Sequence, residues 1–250
     1  MPSELNGLLW LVVLITLQLI LVRLLHQQIQ LIFFFITRRT EIAYMMFSLF
    51  FFPGVLLHEG SHYLMARLLR VPTGKLVLFP KQIGDGKLQL GYVETLPVDW
   101  LRDGFIGAAP LISGGVCVAY IGLDRLGLKS FLEIHQTGWW DSLVGILPEI
   151  FYKPDSLLWF YLAFVISSTM LPSASDRRAW LPLGLVFSSL TVISLLAGAG
   201  PWMSQHLTPL INQAFMAAAT VFAISVFVYL IVLPPLLGIR FLFNWLVVRK

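Results

Sequence analysis

Charged residues are scarce in this chain, and their scarcity bounds its class. They make up 12% of its 250 residues, about half the share of an ordinary soluble domain, whereas 58% are hydrophobic and the mean hydropathy is +0.82. This composition excludes a large soluble domain and favours a polytopic membrane protein. The single cysteine, Cys117, cannot form an internal disulfide. The formal net charge of +4 fits basic residues that flank membrane spans, and no nucleic-acid partner is expected.

Long apolar runs predict an all-α polytopic membrane protein with about six transmembrane helices. The first run has no basic residue before it and exceeds the apolar core of a signal peptide, so we expect it to be retained. After this run, the helix either continues past the bilayer or breaks into an interfacial segment. Pro53-Gly54 predicts a kink in the second helix, and Pro234-Pro235 predicts an interruption of the sixth. The predicted spans are residues 5–22, 41–69, 101–121, 156–172, 180–196 and 211–237, with an interfacial amphipathic segment at 122–155 and a loop at 198–209.

Residues 72–96 differ from the apolar runs and predict a small membrane-associated β-hairpin directly after the second helix. Two strand-like runs, 75–79 and 87–95, flank Gly84-Asp85-Gly86, which is typical of a turn. So short a hairpin must pack on the membrane core. Its outer edge either binds an extended peptide by strand addition or serves as a plain connection.

The second predicted helix carries the motif His58-Glu59-Gly60-Ser61-His62. Residues four apart share one helix face, so His58 and His62 can bind one zinc ion. Glu59, beside them, is placed to act as a general base toward water. No charged residue occurs from Ile42 to Leu57, and ionisable side chains at membrane depth are costly unless they are paired or metal-bound. The alternative is that these three side chains only hydrogen-bond neighbouring helices.

A catalytic zinc site of this kind needs a third protein ligand. Asp176 is the first candidate, because it lies at the end of the fourth predicted span, where the chain can turn inward. Alternatively, Asp176 caps the following helix and pairs with Arg177 and Arg178. Asp99 and Asp103, near the end of the hairpin, are weaker candidates.

The distribution of basic residues predicts the orientation in the membrane. Six spans would place both termini on one side, and that side also receives most of the lysines and arginines between the spans. The positive-inside rule then places the termini, the hairpin and Asp176 in the cytoplasm, in a multi-pass protein of the cytoplasmic membrane. His58 and Asp176 approach the same face, as a shared metal site requires. Arg38-Arg39 fall on the opposite side and are an exception to the rule.

On these elements the chain resembles the site-2 protease family of intramembrane zinc metalloproteases, over about residues 41–180. The matching features are the histidine motif within a span, the hairpin followed by Gly107-Ala108-Ala109-Pro110-Leu111, and a late aspartate after a proline-containing helix end. The resemblance implies that His58, His62 and Asp176 bind Zn²⁺. It also implies that Glu59 is the catalytic base.

We expect one membrane-embedded metalloprotease domain over residues 1–250, with its core at about 41–180 and no room for a PDZ or CBS module. By resemblance, it would hydrolyse peptide bonds of a transmembrane or membrane-proximal protein substrate, surrounded by membrane lipid. The chain departs from the family pattern where serine or threonine stands in place of asparagine, and where Arg177 rather than glycine follows the late aspartate. The residues expected to contact substrate are Leu88, Leu90 and Tyr92 of the hairpin, with Pro110 and Ser113 of the third span.

Two other functions stay open at this stage. One is a catalytically inactive relative of the family that binds a regulatory or partner membrane protein through its spans or its hairpin. The short chain and the altered positions near the substrate favour it. The other is a transporter. The prolines at 53, 234 and 235 suggest it because transporters use broken helices, but no inverted repeat supports it.

Overall fold

A computed structural model gives the fold for residues 6–78, 81–83, 87–89, 91–96, 98–128 and 155–248. Within these ranges the chain forms a helical bundle with a small antiparallel β-region between its second and third helices. Most of the interfacial segment predicted at 122–155 lies outside the described residues. The helices are α1 (Asn6–Thr37), α2 (Thr40–Leu68), α3 (Trp100–Tyr120), α4 (Ser156–Thr169), α5 (Trp180–Leu196) and α6 (Thr208–Val248).

Four helical segments of the described chain are long and apolar enough to cross a membrane. They are α1, α2, α3 with its π-helical extension to Arg125, and the segment Gly200–Phe243 that contains most of α6. The helices α4 and α5 have 14 and 17 residues, so they reach only about 21 and 26 Å, less than the roughly 30 Å of a bilayer core. The chain is therefore a helical membrane protein with four candidate spans, and six spans remain a prediction.

Three helices continue through positions where the sequence predicts, or leaves open, a break or a kink, and the kink at Pro53-Gly54 stays a prediction. The helix α1 continues without a break to Thr37, and α2 runs through Pro53. The helix α6 continues past Pro234-Pro235 to Val248, so the predicted interruption is wrong. A proline removes one backbone donor, and an apolar bundle tolerates that loss where neighbouring groups satisfy the freed carbonyls. The loop predicted at 198–209 is largely helical, because Pro201 stands in the first turn of a short helix, where proline is favoured.

The predicted hairpin is confirmed, but it is built from four short strands. They are β1 (Thr73–Val77), β2 (Lys81–Ile83), β3 (Lys87–Gln89) and β4 (Tyr92–Thr95). Antiparallel pairs form between β1 and β4 and between β2 and β3. The second predicted strand therefore corresponds to two strands, β3 and β4, while Leu90 and the predicted turn at 84–86 lie outside the described residues.

The end of α2 reverses the chain toward this hairpin. Arg70 adopts a left-handed backbone with φ of 57°. Its N–H donates to Arg67 O at 3.1 Å, and the N–H of Val71 donates to Ala66 O at 2.8 Å. These two bonds are those of a Schellman motif, which satisfies the last carbonyls of a helix. Val71 is buried against Ala66, so an apolar contact fixes the turn that carries the chain back along the end of α2.

The centre of the bundle lies where α2 packs against α1, α3 and α4, while α1 also lies along α6. Phe51, Phe164 and Tyr229 belong to one buried apolar cluster that joins α2, α4 and α6. Gln18 of α1 is fully buried and donates from Nε2 to Ser167 O of α4 at 3.1 Å. These contacts hold α2, and with it the histidine motif, in a fixed place.

Small residues bring the backbones of neighbouring segments into contact. At Gly114 of α3, a Cβ atom would overlap the side chain of Met170. The same is true in α2, where a Cβ atom at Gly54 would overlap Val165 O and the hydroxyl of Thr169 in α4. Glycine is therefore required where α2 crosses α4 one helical turn before the histidine motif.

We expect Gly54→Ala to destabilise the protein by about 1–3 kcal/mol, because the added methyl group has to separate α2 from α4. Gly60→Ala in the same helix is the matched control, since an added Cβ there meets nothing within 4 Å. Alanine is favoured over glycine inside a helix by about 0.5–1 kcal/mol, so the control should be neutral or stabilising. Thermal unfolding in detergent, followed by circular dichroism, measures both. Equal stability of the two variants would contradict the close crossing.

Candidate metal centre

The structure brings His58, His62 and Asp176 together at the C-terminal half of α2. Both histidines lie on one face of that helix, and Asp176 comes from the loop between α4 and α5. The Nε2 atoms of the histidines are 3.2 Å apart. Oδ1 of Asp176 lies 3.4 Å from His62 Nε2, and its Oδ2 lies 3.7 Å from His58 Nε2. Each of the three side chains is at most 14% exposed.

These separations fit a tetrahedral zinc ion. Zinc binds imidazole nitrogen and carboxylate oxygen at about 2.0–2.2 Å, so two ligand atoms at a tetrahedral angle lie about 3.4 Å apart. The three measured separations lie close to that value, and all the ligand atoms fall within 4.8 Å of one another. Two histidines and one carboxylate are also a donor set that catalytic zinc sites use. The residues present therefore fit a zinc ion that keeps a further coordination position.

A backbone carbonyl of α3 orients one of the two imidazoles. His62 Nδ1 lies 2.8 Å from Ile106 O. Since a carbonyl oxygen only accepts, Nδ1 carries the hydrogen and Nε2 keeps its lone pair toward the other ligands. Metal-binding histidines usually donate their second ring nitrogen in this way, which fixes the ring. For His58, Nδ1 has no hydrogen-bond partner among the described residues.

The loop that carries Asp176 is folded around the carboxylate itself. The N–H of Ser173 donates to Asp176 Oδ2 at 2.7 Å, and the N–H of Asp176 donates to Ser173 Oγ at 3.3 Å. Burial raises the pKa of Asp176, but the two imidazoles beside the carboxylate and the hydrogen bond from Ser173 outweigh burial and hold the pKa well below its usual value. Asp176 is therefore ionised at neutral pH, which is the form that binds a cation.

The Asp176 loop lies directly on α3. A Cβ atom at Gly107 would overlap the carbonyl oxygen of Asp176, so only glycine allows the loop to come this close. Gly107 is one residue beyond Ile106, whose carbonyl holds His62. One turn of α3 therefore supports both the histidine face of α2 and the loop that brings the carboxylate.

A cavity of about 480 Å³ opens over these ligands, and the hairpin forms one of its walls. Glu59 lines the cavity beside the histidines and is only 9% exposed. A Cβ atom at Gly91 would lie 2.9 Å from Glu59 Cγ, so the hairpin backbone packs against the Glu59 side chain. Tyr92, Val93 and Glu94 continue the same wall. The cavity thus holds a buried carboxylate, a triad suited to a metal ion, and the backbone of a β-strand.

The chemical assignment of this centre rests on its geometry alone. The chain matches no protein-family model, no curated protein and no solved structure. The resemblance to site-2 proteases therefore stays a prediction from the motifs.

The other acidic candidates have different partners. Asp99 caps α3, because its Oδ1 accepts the N–H of Arg102 at 3.0 Å. Asp103 accepts from Nε and Nη2 of the Arg178 guanidinium group, at 2.6 and 2.7 Å. Neither joins the histidines. Asp176 accepts from its own loop and faces the two histidines at 3.4 and 3.7 Å, so the alternative of a helix cap paired with two arginines is not what the structure shows.

The predicted substrate contacts separate into two groups. Tyr92 lines the cavity, whereas Leu88 lies in β3 and Leu90 lies outside the described residues. Pro110 is buried in α3, and the hydroxyl of Ser113 hydrogen-bonds Ser61 of α2. Among the described residues that line the cavity, neither Pro110 nor Ser113 occurs. Ser113 instead ties α3 to the helix that carries the motif.

Several residues of the centre have no signal in the sequence. The Ile106 carbonyl is a backbone group, so its role as a hydrogen-bond acceptor for His62 cannot be predicted from the residue type. Asp103 and Arg178 are 75 positions apart, so no local spacing links them. Glu94 lines the cavity from β4, and its spacing of two residues from Tyr92 is a signal that the strand period offers. Gly107 belongs to the run of small residues Gly107-Ala108-Ala109, a composition that indicates close backbone approach.

We expect Gly107→Ala to weaken zinc binding by at least about 10-fold while the protein stays folded, because the methyl group moves Asp176 away from the histidines. Gly115→Ala, in the same helix, is the matched control. There an added Cβ makes an ordinary contact at 3.8 Å with Val221. Zinc per chain, measured by mass spectrometry after dialysis against a weak chelator, distinguishes the variants. Full zinc retention in Gly107→Ala would show that the loop does not depend on this contact.

Proposed function

We propose that the protein is an intramembrane zinc metalloprotease that hydrolyses peptide bonds of transmembrane or membrane-proximal protein substrates. The observation that carries this proposal is the meeting of His58, His62 and Asp176 with Glu59 in one cavity, on a helix that is otherwise apolar. Ionisable groups in such a helix need a partner, and a metal ion is the partner that satisfies all three ligands at once.

Each residue of the centre has a distinct part in the proposed hydrolysis. His58, His62 and Asp176 would hold the metal ion through Nε2, Nε2 and the carboxylate. Zinc, when bound there, supplies a Lewis acid that polarises the scissile carbonyl and acidifies water. The Glu59 carboxylate takes the proton from the attacking water and gives it to the leaving amine nitrogen as the peptide bond breaks. The low exposure of Glu59 keeps bulk water from competing for that proton.

The hairpin is suited to present the substrate in an extended form. A transmembrane helix has its carbonyls hydrogen-bonded internally, so it has to unwind before hydrolysis. The strand β4 pairs with β1 along one edge, and within the described residues no strand pairs with its other edge. Its residues Tyr92, Val93 and Glu94 line the cavity. A segment added to that edge would run past Glu59, which gives β4 a role in substrate binding by strand addition.

The membrane setting that we propose is the one the charge distribution predicts. The protein is multi-pass in the cytoplasmic membrane, with both termini and the metal centre on the cytoplasmic side. Arg67, Arg70 and Lys75 are exposed at the metal end of α2, in agreement with the positive-inside rule. The helix α5 has no buried residue and α4 is largely apolar, so we include both among six spans in contact with lipid or with the substrate.

We expect Glu59→Gln to keep zinc and to lose cleavage by about 100- to 10,000-fold, the usual contribution of a general base. His62→Ala should lose both zinc and cleavage, because it removes a ligand. His206→Ala is the control for histidine loss, since that ring is exposed and stacks on Trp202. Cleavage is measured in liposomes with a panel of single-span peptides that carry a fluorophore and a quencher, and zinc is measured in the same samples.

Cleavage by Glu59→Gln at the wild-type rate would disprove this mechanism. One zinc per chain without turnover on any peptide of the panel, together with stable association with another membrane protein, would favour the inactive partner-binding subunit instead. The metal measurement is independent of the choice of peptide, so the two outcomes can be told apart.

A further inference from the structure

An ion pair joins the Asp176 loop to α3 at the rim of the cavity. Arg178 Nε lies 2.6 Å from Asp103 Oδ2, and Arg178 Nη2 lies 2.7 Å from Asp103 Oδ1. Two parallel bonds of this kind fix the direction of a guanidinium group as well as its distance. Asp103 is mostly buried, with 18% of its side chain exposed, whereas the Arg178 side chain is 60% exposed. The acid is thus held by α3, and the arginine reaches it from the loop.

Arg178 follows Asp176 by two residues, so the ion pair fixes the loop next to the third metal ligand. The other side-chain hydrogen bonds described for residues 173–178 stay within the loop, and Asp176 also faces the two histidines at 3.4 and 3.7 Å. Ser173 bonds Asp176 and Ser175, and Arg177 Nε donates to Ser173 O at 3.2 Å. These local bonds shape the loop, but they do not attach it to the bundle.

One turn of α3 therefore holds the centre at three points. Asp103 binds Arg178, the Ile106 carbonyl binds His62, and Gly107 admits the Asp176 backbone. Asp103 and Gly107 are four residues apart and share one face of α3, so the arginine and the aspartate of the loop meet the same side of the helix. The loop is therefore attached to α3 by the Arg178–Asp103 ion pair and packs against α3 at Gly107.

We infer that the Asp103–Arg178 pair is a clasp that positions Asp176 as the third metal ligand, so that Arg178 is a positioning residue of the centre. This inference rests on the metal centre of the proposed function. Its effect falls on metal affinity and much less on folding, because an ion pair with an exposed arginine adds little to global stability. Loss of a partner that orients a metal ligand usually costs about 10- to 100-fold in metal affinity.

The clasp is tested by the zinc affinity of the full-length protein in detergent, measured by competition with a chromophoric chelator. We expect Asp103→Asn and Arg178→Gln each to weaken zinc binding by about 10- to 100-fold. The charge-reversed double variant, Asp103→Arg with Arg178→Asp, should regain part of that loss. Arg102→Gln is the matched control, because it breaks the neighbouring pair with Asp99, which lies within α3 and its cap and does not reach the loop.

Wild-type zinc affinity in Arg178→Gln would overturn the clasp, as would an equal loss in Arg102→Gln. Unchanged zinc affinity with slower cleavage would also overturn it, because Arg178 would then act on the substrate. If Asp103→Asn does not fold, Arg178→Gln alone decides, since its side chain is largely exposed. Failure of the wild-type protein to bind zinc would instead refute the metal centre, so the two failures are distinguishable.

Discussion

The structure depends on one electrostatic constraint, which is that ionisable side chains inside an apolar helix have to satisfy one another. His58, Glu59 and His62 are fixed in α2, and residues 42–57 before them in that helix carry no charge. Such groups are costly in a membrane unless they are paired or bind a metal ion. The loop between α4 and α5 places the Asp176 carboxylate within 3.7 Å of both histidines, which gives them a charged partner. Gly54 and Gly107 contribute to the same arrangement. Gly54 lets α2 approach α4, and Gly107 lets the Asp176 loop approach α3.

The hairpin turns this metal-binding arrangement into a candidate catalytic site. The Schellman motif at the end of α2 sends the chain back along its own helix, and Gly91 then rests on Glu59. A strand wall beside a buried carboxylate and three metal ligands has the parts that hydrolysis of an extended peptide requires: a way to hold the backbone, a base, and a Lewis acid. A structural zinc site would need none of the cavity, since such sites are closed by a fourth protein ligand.

Sequence patterns predict the local features of this protein and miss the long-range ones. The i, i+4 spacing of His58 and His62 places both on one face of a helix, and alternation and turn residues reveal the hairpin, because helix and strand periods are local properties. The passage of α6 through Pro234-Pro235 is not predicted, since the cost of a proline depends on neighbours in space. The choice among Asp99, Asp103 and Asp176 stays open for the same reason. In the folded chain, Arg178 binds Asp103, and the Ile106 carbonyl orients His62 toward Asp176. Both contacts join residues far apart in the sequence.

The most direct test of this account is anomalous X-ray scattering from crystals of the purified, zinc-replete protein, recorded on both sides of the zinc absorption edge. The account predicts one peak at about 2.0–2.2 Å from Nε2 of His58, Nε2 of His62 and a carboxylate oxygen of Asp176. A zinc peak elsewhere, or no peak with these three side chains apart, would contradict it.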